Sequence, residues 1–331
     1  MRRRILFICG SMNQTTQMHQ IANQLPEFDK WFTPYYGDGY INALAKAGLA
    51  EFAIVGRKHV ARCLTYLRTH HLAVDWRGRS NSYDLVVTCS DILLPKNIQN
   101  SKIVLVQEGM TDPENFAFRL VKRFPSLPRW IASTSTTGMS GGYDRFCVAS
   151  EGYRELFIRK GADPDKTVVT GIPNFDNCKR FFNNSFPYKG FVLVCTSDAR
   201  ETLKWENRKR LIQKALKIAD GRLLIFKLHP NERKKTRRRE IERYAPEALV
   251  YTEGSAEEMI ANCDVLITTY SSTVYVGLAL QKEVHSAFDV TELRRLTPLQ
   301  HGSAARNIAD VCREILRTHE KIQFEVSELA I

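Results

Sequence analysis

Short apolar runs alternate along the whole chain with stretches in which apolar residues recur every three or four positions, which predicts strands and helices in succession. Such alternation favours parallel sheets covered by helices, an α/β fold. In the first half the pattern predicts strands at 4–9, 52–55, 85–88, 103–107, 145–149 and 167–170, and helices at 14–24, 39–47, 59–70, 115–124 and 151–160. In the second half strands are expected at 191–196, 223–228, 249–251, 265–268 and near 284–287, with helices at 201–218, 235–244, 256–261, 272–280 and 304–319. The 331 residues exceed what one hydrophobic core usually organises. Two Rossmann-like domains are therefore expected, 1–172 and 173–331, with the linker near 172–188. Ile308, Val311, Cys312, Ile315 and Leu316 form an apolar stripe on the last helix, suited to docking on the first domain or to its own.

The most distinctive break in the pattern lies within 264–284. The apolar run Val265, Leu266, Ile267 stops at Thr268, Thr269, Tyr270, Ser271, Ser272 and Thr273, and helical spacing then resumes. Hydroxyls beside unpaired helix-start N–H groups favour an anion, as does the helix dipole, so a nucleotide diphosphate is a natural ligand. Helix capping alone would use the same residues. A second strand runs directly into His229, Pro230, Asn231 and Glu232. In open α/β sheets ligands bind beyond the carboxyl ends of the strands, where the His229 ring is placed to donate to a phosphate or sugar oxygen. The loop from Cys195 to Glu201 ends a third strand: Thr196 and Ser197 are candidates to touch phosphate and Arg200 to neutralise it, with capping by Ser197 or Asp198 as the alternative.

Gly171-Ile172-Pro173-Asn174-Phe175-Asp176, His229-Pro230-Asn231-Glu232 and Thr269-Tyr270-Ser271-Ser272-Thr273, followed by Gln281-Lys282-Glu283-Val284, resemble in order and spacing the signatures of GT-B glycosyltransferases. The resemblance is to the branch that builds bacterial envelope polymers, the CDP-glycerol glycerophosphotransferases and capsule-type sugar transferases. A similar series occurs in non-hydrolysing UDP-N-acetylglucosamine 2-epimerases and lipid A disaccharide synthases. The resemblance covers mainly the second half. It implies two Rossmann-like domains facing a cleft, with the nucleotide-sugar donor on Thr196, Ser197, Arg200, His229, Asn231, Glu232, Tyr270, Ser271, Ser272 and Thr273.

Inverting transfer needs a group that takes the acceptor hydroxyl's proton, and a partly buried carboxylate at a strand end suits that role. Glu108, in the segment Gln107-Glu108-Gly109, is the candidate base, and Asp91 at the preceding strand end competes with it. The teichoic-acid enzymes carry a His in the corresponding loop, from which this chain departs. Gly10 and Ser11, after the opening strand, together with Gln107 and Gly109, are the candidates for touching the acceptor. The segment lacks G-x-G-x-x-G and is no dinucleotide fingerprint. Two further stretches invite functional readings: the aromatic-rich 31–40, as part of an acceptor site or packed on its own domain, and the Ser, Thr and Gly-rich 126–142, as a mobile lid or acceptor loop.

The net charge of +12 asks for a partner. The run Arg233-Lys234-Lys235-Thr236-Arg237-Arg238-Arg239 would fit a nucleic-acid backbone, but it continues into a helix and no nucleic-acid motif accompanies it. An anionic membrane surface ranks above nucleic acid, since clustered Lys and Arg are attracted there by about 1 kcal/mol each. No stretch reaches the roughly 20 apolar residues needed to span a bilayer, and 5–9 is short for a signal peptide. The expectation is a cytoplasmic protein, peripheral at the inner face of the membrane. The eight scattered cysteines read as small buried residues, with no zinc spacing. With no Asp-x-Asp motif to hold a cation, metal is expected to be unnecessary and no cofactor is implied beyond the nucleotide sugar as co-substrate. The expected activity is transfer of a sugar, or a polyol phosphate, from a nucleotide donor to an envelope glycan, which is free or lipid-linked. The alternatives are a sugar-nucleotide 2-epimerase and a non-catalytic nucleotide-sugar or glycan-binding protein.

Overall fold

The computed structural model describes residues 2–39, 42, 54–197 and 206–328. It divides into two compact units, one of Met1–Asp176 with His301–Ile331 and the other of Asn177–Gln300. The strand expected at 52–55 and the helix expected at 39–47 lie largely outside the described residues, as do Asp198, Arg200 and Glu201.

In the first unit the strands are β1 (Arg4–Cys9), β2 (Asp29–Pro34), β3 (Leu85–Thr88), β4 (Lys102–Val106), β5 (Arg145–Val148) and β6 (Thr167–Val169). They form one sheet in the order β2-β1-β3-β4-β5-β6, every pairing parallel. Continuous apolar runs such as Leu85-Val86-Val87 are buried because helices cover both faces of such a sheet. On one face the helix Met12–Asn23 packs Met18, Ile21 and Ala22 into a cluster that also takes Ile308, Cys312, Ile315 and Leu316 of the helix Ala304–Glu328.

β2 takes in residues 31–34 of the aromatic-rich stretch 31–40, whose Phe32, Tyr35 and Tyr36 rings pack on their own unit. Phe32 is buried and stacks on Phe7 with ring centroids 5.2 Å apart. Tyr35 and Tyr36 are buried too, their hydroxyls donating to Leu93 O (2.6 Å) and Asn97 Oδ1 (3.0 Å), and desolvation pushes both up to about 12. The segment DKWFTP hid its strand because an edge position tolerates a charge at one end and a proline at the other.

The stretch 126–142, expected as a lid or acceptor loop, contains regular structure. Arg129–Thr136 is a 3₁₀ helix kinked at Ser133 (φ 52°), and Ala132, Ser135 and Thr136 are buried. Tyr143 donates its hydroxyl to Gly138 O at 2.5 Å, closing the stretch against the unit.

Lys160, at the end of the helix Glu151–Lys160, is a buried cation with its Nζ 5.5 Å from the Phe118 ring centre and 5.6 Å from that of Phe157. Burial lowers its pKa to about 8, below its unfolded value, so the unfolded chain binds the extra proton between about pH 8 and 10. Stability should therefore rise with pH through that window, and Lys160→Met should remove the slope and add about 1–3 kcal/mol at neutral pH. Urea melts at several pH values check this; an unchanged slope in the variant rejects it.

The second unit holds β7 (Val192–Cys195), β8 (Leu224–Lys227), β9 (Leu249–Tyr251), β10 (Val265–Thr268) and β11 (Glu283–His285), in the order β11-β10-β7-β8-β9, again all parallel. The helix Arg208–Ala219 lays Leu211, Ile212 and Ala215 on this sheet beside Phe226 and Ile241. Gly277 lets the helix Val274–Ala279 approach β10, because a Cβ there would lie 2.6 Å from Leu266 Cδ2. The basic run lies on the helix Lys234–Tyr244, with Arg238 donating to Val250 O at 3.0 Å and Arg237 beside Glu240 at 3.6 Å.

The chain leaves and re-enters the first unit at a fastened point. Asp176 accepts from Gly302 N (2.6 Å) and Ala304 N (2.7 Å), satisfying amides at the start of the last helix. Within the second unit Cys178 N donates to Gln300 Oε1 at 3.0 Å. Asn174 of the same motif donates to Asn13 O (2.7 Å) and accepts from Gln20 Nε2 (2.9 Å). All eight cysteines are buried and free. No helix among the described residues is long and apolar enough to cross a membrane.

Candidate functional site

In the second unit the carboxyl ends of three neighbouring strands, β10, β7 and β8, bring together residues far apart in sequence. Thr196 and Ser197 follow β7, His229 and Glu232 follow β8, and Thr269 to Thr273 follow β10. Ser197 and Thr269 share a hydroxyl contact at 3.1 Å, and both donate to Glu206 Oε2, at 3.0 and 3.3 Å. Thr196 Oγ1 donates to Glu232, which also accepts from His229 N at 2.9 Å. The His229 ring Nδ1 accepts from Asn231 N at 3.3 Å, which places the proton of the neutral ring on Nε2 as a donor.

Beneath these loops lies a pair of ion contacts that composition did not reveal. Arg208 is buried and joins Glu206 (2.6 Å) to Glu232 (2.6 Å). Glu232 is thus a buried structural carboxylate seating the His229 turn rather than a group turned toward a ligand. Arg208 occupies the apolar stripe of its helix with Leu211, Ile212, Ala215 and Ala219, and a charge on that stripe was the available signal. Lys227, at the end of β8, is also buried, donates to Leu228 O at 3.0 Å and has its pKa lowered by burial.

The hydroxyl turn is tight. Ser271 Oγ accepts from Thr273 N at 3.3 Å and lies 2.9 Å from Thr273 Oγ1, and Val274 N donates to Ser271 O at 3.2 Å. Ser271, Ser272 and Thr273 remain partly accessible, and Tyr270 is exposed with its ring edge-on to Phe288 at 5.3 Å. The helix that follows is Val274–Ala279, shorter than the 272–280 expected, because residues 271–273 form the turn.

In the first unit the loops after β1 and β4 meet through side chains, though β3 lies between the two strands in the sheet. Ser11 caps the helix Met12–Asn23, accepting from Gln14 N at 3.2 Å, and donates its own proton to Glu108 Oε1 at 2.5 Å. Gln14 Nε2 donates to the other Glu108 oxygen at 2.6 Å. Gly10 leaves room for the Gln14 amide, since a Cβ would stand 2.0 Å from Gln14 Oε1 and displace it. Glu108 is partly accessible, and each of its oxygens keeps a lone pair beyond these contacts. Its charge adds to burial in pushing the Cys89 thiol upward.

Asp91, the competing carboxylate, is in a different environment. It is fully buried, accepting from Arg129 Nη1 (3.1 Å), Gly138 N (3.1 Å) and Ser140 N (3.0 Å), so it anchors the 129–142 stretch and faces no solvent. Gln107 is also buried. Its side chain donates to Gly109 O at 2.8 Å and accepts from Ala149 N at 2.9 Å, which ties β4 to β5 and leaves neither Gln107 nor buried Gly109 open to an acceptor. Gln14 and Gln17, unnoticed in the sequence, are polar residues on the buried face of their helix; Gln17 donates to Gln107 O at 2.8 Å. Among the described residues no cluster of His, Cys, Asp and Glu has the makings of a metal site.

Two doubly covered parallel sheets, each with its polar residues gathered at the carboxyl strand ends, define a GT-B-type α/β protein. The wall teichoic acid polymerase TagF shares this fold with a TM-score of 0.54 at 11% identity, over 96% of this chain and 89% of that one. The UDP-GlcNAc 2-epimerase of Neisseria meningitidis, solved with UDP-GlcNAc bound, matches with a TM-score of 0.59 at 10% identity, over 94% and 100% of the two chains. The Methanocaldococcus jannaschii UDP-GlcNAc 2-epimerase, in complex with UDP-GlcNAc and UDP, gives 0.55 at 14% identity over 95% and 92%. No protein-family model matches the chain, and no curated protein matches it in sequence.

Proposed function

We infer that the protein is a transferase that moves a sugar, or a polyol phosphate, from a nucleotide-activated donor to an envelope glycan. The observation that carries this reading is the gathering of the Ser197–Thr269 pair, the partly accessible Ser271-Ser272-Thr273 turn and the His229 ring at three adjacent strand ends. Such a set offers the turn hydroxyls and an imidazole N–H as hydrogen-bond donors to a phosphate and to the leaving oxygen. The departing nucleotide, a diphosphate when a sugar is moved and a monophosphate when a polyol phosphate is moved, is stabilised by hydroxyls and amides in place of a cation. Glu108, oriented by Ser11 and Gln14, takes the acceptor proton.

The second reading is a sugar-nucleotide 2-epimerase, favoured by the fold likeness to two such enzymes. Incubation with a panel of UDP- and CDP-activated donors, with and without glycan acceptor, separates the two. Nucleotide release that depends on acceptor supports transfer, and epimer formation without acceptor supports isomerisation. Neither product from any donor leaves only a binding role. Changing both Ser271 and Ser272 to Ala should weaken nucleotide diphosphate binding by about 1–3 kcal/mol, the range for losing hydrogen bonds to a charged group. Calorimetry reads this directly, and unaltered affinity removes the turn from the site.

A further inference from the structure

The segment from Asn115 to Ile131 folds as a helical hairpin with apolar residues on its outside as well as its inside. Asn115 caps the helix Phe116–Arg123, accepting from Phe118 N at 2.9 Å. The chain then turns through Phe124–Pro128, where Leu127 N donates to Phe124 O at 3.0 Å, and returns as the 3₁₀ helix Arg129–Thr136. Phe118, Val121 and Ala132 fill the inside, with Leu127 packed against them. That leaves Phe116 78%, Phe124 51%, Trp130 43% and Ile131 42% exposed, a set of large apolar side chains clustered within sixteen residues. On the helix Phe116, Arg119 and Arg123 share the outward face, since positions three and seven apart lie above one another.

The charge on this surface has one sign. Arg119, Lys122 and Arg123 are exposed, and residues 115–131 contain no Asp or Glu. Arg123 lies 5.6 Å from the Phe124 ring centre and Lys122 5.8 Å from that of Phe118, so the cations flank the rings instead of pairing with carboxylates. Exposed apolar groups of this size mark an interaction site. Aromatic rings interleaved with unpaired cations match an anionic bilayer interface, where rings enter the headgroup region and Lys and Arg meet lipid phosphate. We propose that this hairpin is the surface through which the protein docks on anionic membranes. The inference rests on the hairpin itself and not on the transferase reading, and it assigns the contact to the hairpin rather than to the Arg237–Arg239 run.

The test uses the full chain and sedimentation with vesicles of phosphatidylcholine, alone or mixed with phosphatidylglycerol. The protein should pellet with the mixed vesicles and be released as salt rises. Changing Arg119, Lys122 and Arg123 to Gln should lower the partition by about a hundredfold at low salt, on about a tenfold loss for each 1.4 kcal/mol and about 1 kcal/mol per cation. Phe116→Ser with Phe124→Ser should also release the protein, while Arg237→Gln, Arg238→Gln and Arg239→Gln together should change binding only by about twofold. Arg237 is half-buried and paired with Glu240, the other side chains are exposed, and thermal melting checks that each variant folds. As a second measurement that needs no multiple variant, brominated phosphatidylcholine in mixed vesicles should quench tryptophan emission, and Trp130→Phe should abolish that quenching. Equal binding to neutral and anionic vesicles, or hairpin variants that bind as well as the parent, overturns the proposal. So does self-association of the parent that the Phe116 and Phe124 changes abolish without any vesicle binding, which would assign the surface to a second copy of the chain.

Discussion

Glu108→Gln is expected to lower kcat by about 10²–10⁴ while leaving donor affinity unchanged, the range for losing a positioned general base. The substitution suits the geometry. The carbonyl oxygen of the new amide can still accept from Gln14 Nε2, which lies 2.6 Å from the native carboxylate, and its NH₂ group can donate to Ser11 Oγ, so the cluster keeps its shape and loses only basicity. Asp91→Asn is expected to act otherwise. With Arg129 and two backbone amides on that buried carboxylate, its loss should appear in stability before turnover. Steady-state kinetics with an active donor and acceptor, alongside urea melts, separates the two carboxylates. Near-normal turnover in Glu108→Gln rules the base assignment out.

Arg208→Met should destabilise the second unit by about 3–5 kcal/mol, because it takes from the buried Glu206 and Glu232 the guanidinium that both contact. Methionine fills a similar volume on the apolar stripe, so the deficit reports charge rather than a cavity. Adding Glu206→Gln and Glu232→Gln should recover most of the loss, since a buried ion set replaced as a whole is often nearly neutral. Binding has its own expected outcome. Thr196 and the His229 backbone both hold Glu232, so the restored triple variant should fold yet bind nucleotide diphosphate less well than the parent. Chemical denaturation read against calorimetry decides this, and a single variant within about 1 kcal/mol of the parent would show that the arginine is dispensable.

What the sequence disclosed follows from how far apart the interacting residues lie. The ends of β7, β8 and β10 were legible because a buried parallel strand is a continuous apolar run, and the run stops where the polar loop starts. The position of Glu108 was legible for the same reason, but not its difference from Asp91. Both are carboxylates beyond apolar runs, and the amides that engage Asp91 come from Gly138 and Ser140, some forty-seven and forty-nine positions later. Glu232 was misread because the arginine that buries it comes 24 positions earlier on another element. β2 escaped notice because its pattern mixes charge, rings and proline, and only its pairing with β1 makes it a strand.

The fastening of Asp176 to Gly302 and Ala304 has a consequence for the order in which the chain is made. The second unit is one continuous stretch, Asn177–Gln300, whereas the first needs material from both ends. Domains generally fold as units while the chain emerges, amino end first. Here that rule is inverted. A nascent chain that has reached Gln300 holds every part of the second unit, but the first still lacks Ile308, Ala309, Cys312, Ile315 and Leu316 from its core. The half that is synthesised first is therefore the half completed last, with its unfinished core on the ribosome awaiting the closing helix.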